Sequence, residues 1–255
     1  MNTRSEALEI AVDDEQIDAT LLAPSAKMPG VLFVHGWGGS QKRDIARAKG
    51  LAGLGCVCLT FDMRGHERTL ERQQRVTRED NLRDLLSAYD RLARHPSIDP
   101  SAIAVVGSSY GGYLSTILTS LRPVRWLALR VPALYRDEGW LTPKRELDRK
   151  DLVEYRNTPL PPTANRALAA CAAFEGDVLI VESEQDHLIP HTTITNYLSA
   201  FARAHSLTHR IIDGADHGLT SEACRQAYTS LLINWATEMV VGARIGDGVF
   251  EEVAV

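Results

Sequence analysis

Apolar and polar residues alternate with a period of two over residues 7–12 and 17–23, and the polar break Asp13-Asp14-Glu15-Gln16 separates them. That pattern predicts a β-hairpin. A different pattern follows. Val31-Leu32-Phe33-Val34 is a continuous apolar run, the composition that a strand buried on both faces requires, and it ends in the glycine-rich His35-Gly36-Trp37-Gly38-Gly39-Ser40. Residues 43–54 carry helical periodicity closed by Gly55. Residues 56–61 read as the next strand, and residues 77–93 as a helix with Leu82, Leu85, Leu86, Tyr89 and Leu92 on its apolar side. The rhythm continues with strands at 103–106, 126–131, 178–181 and 207–212 and helices at 113–121, 191–204 and 221–240. Strands alternating with helices predict the α/β class: an eight-stranded, mostly parallel sheet with helices on both faces, the hairpin forming an antiparallel edge. Residues 1–255 are expected to form one domain.

The interval 132–176 breaks this rhythm, being several times longer than an ordinary connection. It is expected to form a small cap between strands six and seven, built from two or three short helices. Acidic and basic residues are interleaved there with Tyr135, Trp140 and Tyr155, which predicts a wetted cap over a cleft and argues against a membrane-docking flap.

Composition narrows the function classes. The net charge is −5, so no basic surplus exists to neutralise phosphates, which argues against a nucleic-acid partner. No stretch approaches the ~20 apolar residues that span a bilayer, and the first residues lack the apolar core of a secretory signal. The four cysteines (Cys56, Cys58, Cys171, Cys224) have neither disulfide-scaffold nor metal spacing, and are expected to be buried thiols in a reducing cytoplasm. The tail Val241 to Val255 lies beyond the last predicted helix and is moderately apolar, which leaves a homodimer contact open.

The strongest chemical signal is Gly107-Ser108-Ser109-Tyr110-Gly111, a G-x-S-x-G placed where an apolar run ends and a helical pattern begins. Glycines two residues either side of Ser109 permit a tight, strained turn that presents its hydroxyl over a helix N-terminus. Ser108 is the rival nucleophile, but Val106 and Tyr110 flank it where the turn needs glycine. A serine needs an adjacent base. Of eight histidines, His217 stands out in Asp213-Gly214-Ala215-Asp216-His217-Gly218, on the loop after the eighth strand, where ligands gather in open α/β sheets. The group that orients the base is expected to be Asp186, just past strand seven. Glu182 and Glu184 compete but alternate within or barely beyond the strand, and Asp216 adjoins the histidine in sequence.

The order Ser109, Asp186, His217 resembles that of the α/β-hydrolases, and four blocks carry the resemblance along most of the chain. They are His35 to Ser40, Phe61-Asp62-Met63-Arg64-Gly65-His66, the Ser109 turn, and the loops of Asp186 and His217. Within the family the chain is most similar to dienelactone-hydrolase-like esterases and to the catalytic domain of prolyl-oligopeptidase-type peptidases, though serine stands where dienelactone hydrolases have cysteine. The resemblance implies an α/β-hydrolase fold and backbone N–H donors at Trp37 and Tyr110 for an oxyanion. It implies a structural role for His35 and scaffolding for the block ending at His66. The expected activity is hydrolysis of a carboxylic ester or related acyl bond of a small-to-medium substrate, without metal or organic cofactor. A peptidase, a thioesterase and a silent binding protein are the alternatives. Trp37, Tyr110, Tyr135 and Trp140 are candidates for an apolar pocket, or simply for the core.

Overall fold

The computed structural model describes residues 4–23 and 28–251, with residues 241–251 described at the level of the backbone. The hairpin pairs β1 (Arg4–Val12) with β2 (Glu15–Ala23) across Asp13-Asp14, where Asp13 takes φ 53°. β3 (Met28–Val34), β4 (Val57–Phe61), β5 (Ile98–Ser108), β6 (Trp126–Arg130), β7 (Asp177–Ser183) and β8 (Ser206–Ile212) are mutually parallel, and β2 joins them antiparallel to β4. The order β1-β2-β4-β3-β5-β6-β7-β8 is the predicted eight-stranded sheet with its antiparallel edge.

Side chains alternate between two cores. Leu32 and Val34 of β3 belong to one, Val31 and Phe33 to the other. Five helices supply the first: α2 (Arg78–Ala93), α3 (Tyr110–Thr119), α4 (Arg149–Arg156, through Tyr155), α5 (Arg166–Ala173) and α6 (His191–Ala200). The second is closed by α1 (Lys42–Gly53) and α7 (Glu222–Glu251). α2 starts where it does because Thr77 and Asp80 satisfy each other's end groups: Thr77 Oγ1 accepts from the Asp80 amide at 3.0 Å, and Asp80 Oδ2 accepts from the Thr77 amide at 2.9 Å.

Some boundaries differ from expectation. β5 begins at Ile98 rather than 103, because Asp99, Pro100 and Ser101 hide the start of the strand; its register against β3 shifts between Pro29 and Gly30. α7 continues to Glu251, so one helix occupies most of the stretch expected to be a tail. Its proposed dimer contact falls on side chains of 241–251 and on 252–255, outside the described residues. Residues 132–176 hold a 3₁₀ turn at Lys144–Glu146, α4 (Arg149–Arg156) and α5. α5 packs on α3 with Ala167, Leu168, Ala170 and Cys171 buried, so this part of the interval is sheet-covering structure. All four cysteines are buried thiols, and no described helix is long and apolar enough to cross a membrane.

The apolar face of α2 is the measurable test of this packing. Leu85 is fully buried, and Leu85→Ala is expected to lower unfolding stability by about 2–5 kcal/mol in urea melts, with the fold retained.

Candidate active site

Ser109 joins β5 to α3 with φ 51° and ψ −114°, a left-handed backbone that strains any side-chain-bearing residue. The turn is tight because the start of α3 presses on neighbouring backbone. A Cβ at Gly111 would lie 2.3 Å from the Val34 carbonyl oxygen and 2.4 Å from that of His35. One at Gly107 would lie 2.6 Å from Ser115 Oγ and 2.7 Å from Gly112 Cα. Both glycines of the motif are therefore demanded by close approach. The Ser109 amide donates to the Arg130 carbonyl at 2.9 Å, and its own carbonyl accepts from the Ala133 amide at 2.9 Å. These bonds hold the strained residue in place.

The loop after β3 approaches from the other side. A Cβ at Gly36 would stand 3.2 Å from Ser109 Cβ, so glycine is what allows the loop so near. Among the described residues, the backbone N–H groups of Trp37 and Tyr110 make no hydrogen bond, which leaves both open to an external acceptor. Two buried histidines brace this loop against the loop after β4. His35 Nε2 accepts from the Met63 amide at 3.1 Å, and His66 Nε2 accepts from the Gly38 amide at 3.1 Å. Their Nδ1 atoms face the Gly36 carbonyl and those of Met63 and Arg64. A ring accepting at Nε2 and donating at Nδ1 is neutral. Burial lowers the pKa of each to about 4. The brace is continued by Asp62, whose two oxygens accept from the amide and side chain of Gln41 at 2.8 and 2.9 Å.

Asp186 follows β7 and is itself tied down, Oδ1 accepting from the Leu188 and Ile189 amides at 2.8 and 2.9 Å. Its Oδ2 lies 2.7 Å from His217 Nδ1. Burial pushes the Asp186 carboxyl upward, but the His217 ring and the two amides outweigh it and hold the group below the usual carboxylate range. An ionised carboxylate only accepts, so His217 carries its proton on Nδ1 and leaves Nε2 as an acceptor. The Asp186 side chain is 1 % exposed and that of His217 25 %. The sequence rivals are engaged elsewhere. Glu182 bonds His191 at 2.9 Å and His209 at 3.1 Å, Glu184 accepts from the Gly214 amide, and Asp216 accepts from the Thr220 amide and hydroxyl.

Ser109 and His217 line one cavity of about 230 Å³, together with residues 35–40 and Ser108. Of the four aromatic candidates, Trp37 lines it; Tyr110 and Tyr135 are buried in the core, and Trp140 packs against that core while donating its indole N–H to Glu79. Lys144, from the 132–176 interval, sits with its ammonium 4.3 Å from the Trp37 ring. Sequence reasoning missed three further lining residues, Arg43, Arg47 and Arg130. The signals existed: two arginines four apart on α1, and a charged residue closing the buried run Trp126-Leu127-Ala128-Leu129. Among the described residues no group of His, Cys, Asp or Glu is placed to hold a metal ion.

The model of the alpha/beta hydrolase family matches residues 31–228. An uncharacterised protein of Mycobacterium tuberculosis is 28% identical over 195 residues, 74% of this chain; the chain spans only 63% of the length of that curated relative. Among solved structures, the dienelactone hydrolase of Anabaena variabilis aligns at TM-score 0.65 and 19% identity over 91% of this chain and 96% of its own. Est1E of Butyrivibrio proteoclasticus aligns at 0.69 and 19% over 92% and 99%. The acylaminoacyl peptidase of Pyrococcus horikoshii aligns at 0.71 and 17% over 94% of this chain but 42% of its own. At these identities the three structures share the fold.

The histidine brace has a pH signature. A histidine at about 4 when folded and near its ordinary value of 6.5 when unfolded stabilises above pH 6.5, and that contribution drains away as pH falls to 4. Asp84, raised to about 6 by burial, works in the opposite direction, so the His66 effect is to be read as a difference between proteins. His66→Gln is expected to cost stability at pH 7.5 and progressively less down to pH 4, by denaturant melts at each pH. A penalty independent of pH would contradict the neutral brace.

Proposed function

The chain belongs to the alpha/beta hydrolase family, and from that premise we propose a serine hydrolase acting on carboxylic esters of small-to-medium acyl groups. In this reading Ser109 Oγ adds to the acyl carbonyl as His217 Nε2 takes its proton, and Asp186 holds the imidazole in the required tautomer and stabilises its charge. The Trp37 and Tyr110 amides receive the developing oxyanion, assisted by the N-terminus of α3. His217 returns the proton to the departing alcohol. Water, activated by the same imidazole, then releases the acid from Ser109 and restores the hydroxyl. The four buried thiols suit a reducing compartment, and the reading places the enzyme in the cytoplasm.

The observation that carries this proposal is the conjunction at one cavity of a strained serine with an Asp-bound histidine. A backbone at φ 51° costs stability, and a turn held there by its neighbours supports a functional role for the side chain it displays. A cavity of about 230 Å³ favours a compact acyl group over a long chain.

Ser109→Ala is expected to lower kcat on p-nitrophenyl butyrate at least ~10⁴-fold and to abolish labelling by a fluorophosphonate probe. Asp186→Asn is expected to lower kcat by ~10³–10⁴-fold, leaving the histidine in the wrong tautomer. Full esterase activity in the Ser109→Ala protein would end the proposal. Preferential turnover of aminoacyl p-nitroanilides would move it from esterase to peptidase.

A further inference from the structure

Two guanidiniums lie buried beside Ser109, and no step described so far uses them. Arg130, the last residue of β6, donates from Nε to Ser108 Oγ at 3.3 Å and from Nη1 to the His217 carbonyl at 3.0 Å. Arg47, on α1, employs Nη1 alone, toward Asp44 Oδ1 and the Arg43 carbonyl, both at 3.1 Å. Its Nε is buried with no partner. The Tyr228 ring lies under both, 4.7 Å from Arg47 Cζ and 5.7 Å from Arg130 Cζ. Arg43 completes the group from one turn away, reaching the Gly218 carbonyl at 3.3 Å.

All three arginines line the same cavity as Ser109 and His217. Among the described lining residues, Asp44 is the single carboxylate against three arginines, and it is already paired with Arg47. Asp186 is close enough to attract Arg130 but is bound to His217. Positive charge therefore exceeds negative at a wall screened from water, where a guanidinium without an acceptor is costly. A guanidinium offers five N–H donors in a fork matched to planar oxyanions, and most of those on Arg47 are unspent.

We infer that the cavity selects an acyl ester whose acyl part carries a carboxylate, seated on Arg47 and Arg130 with Arg43 at its edge. This rests on the reading of Ser109 as the nucleophile, since the carboxylate is placed relative to the bond that Ser109 attacks. Arg130 also holds the His217 loop, so Arg47 is the residue that isolates recognition from assembly of the site.

The test compares shape-matched pairs: methyl hydrogen glutarate against methyl 5-methylhexanoate, and methyl hydrogen adipate against methyl 6-methylheptanoate. Binding to the Ser109→Ala protein is measured by calorimetry, so that no turnover intervenes. The half-esters are expected to bind roughly 10- to 100-fold more tightly than their neutral partners, the range of a charge-assisted hydrogen bond. Arg47→Met in the same background is expected to erase most of that preference, and Arg47→Lys to restore part of it. Should Arg47→Met not fold, Arg43→Met is expected to reduce the preference several-fold. Equal binding within each pair, or a preference untouched by these substitutions, overturns the inference. Fluorophosphonate labelling of the wild-type protein separates the two claims. Labelling at Ser109 with no half-ester preference removes the carboxylate seat and keeps the hydrolase. Half-ester binding without labelling does the reverse.

Discussion

The first turn of α3 lies closer to the carbonyls at the end of β3 than any side chain would allow, and the arrangement of the site follows from that contact. Gly111 is the residue that permits it. With α3 so placed, the chain leaving β5 has a single residue in which to reverse, and Ser109 absorbs the turn in a left-handed backbone. Val131, directly after β6, and Leu219, two residues past His217, are held at φ 40° and 50°. Ser109 and Leu219 line the same cavity, and hydrogen bonds of Ser109 and Val131 to neighbouring strands hold their strained backbone in place.

A second layer of constraint is polar and buried. The loops after β3 and β4 have no regular pairing of their own, yet each supplies a neutral imidazole that accepts an amide of the other. Asp62 ties the same loops through Gln41, and Arg64 anchors the β4 loop to α2 by donating to Asp84 and to the Asp80 carbonyl. Such a network is favourable only when every member is satisfied. Desolvation keeps the two rings neutral, and so keeps them acceptors.

The sheet was legible in the sequence because doubly buried strands can be little else than short apolar runs punctuated by glycine, and the helices between them by period and cap. The Ser109 turn was legible because its steric demand leaves two glycines at fixed spacing. Asp186 and His217 could be nominated by their place after strands, although their 2.7 Å contact is a property of the folded chain alone. Other features resisted reading for physical reasons. The start of β5 is masked by Pro100 in a strand that shifts register, and α5 looks like part of an irregular insertion because Leu168 is the one large apolar residue on its buried face. The arginines carried local signals, the pair four apart on α1 and the charge closing β6, but α1 and β6 are far apart in sequence and nothing along the chain joins those signals into one group.

Arg130 takes the Ser109 amide on its backbone carbonyl and reaches the His217 carbonyl with its guanidinium. The spacing of serine and histidine is thereby referred in part to one residue of an interior strand. Insertions or deletions around α4, away from Ala133 whose amide holds the Ser109 carbonyl, could accumulate over a lineage, or be grafted from a homologue, without detuning that pair. The region is thus open to evolutionary divergence in what is admitted, while the reacting geometry is inherited intact.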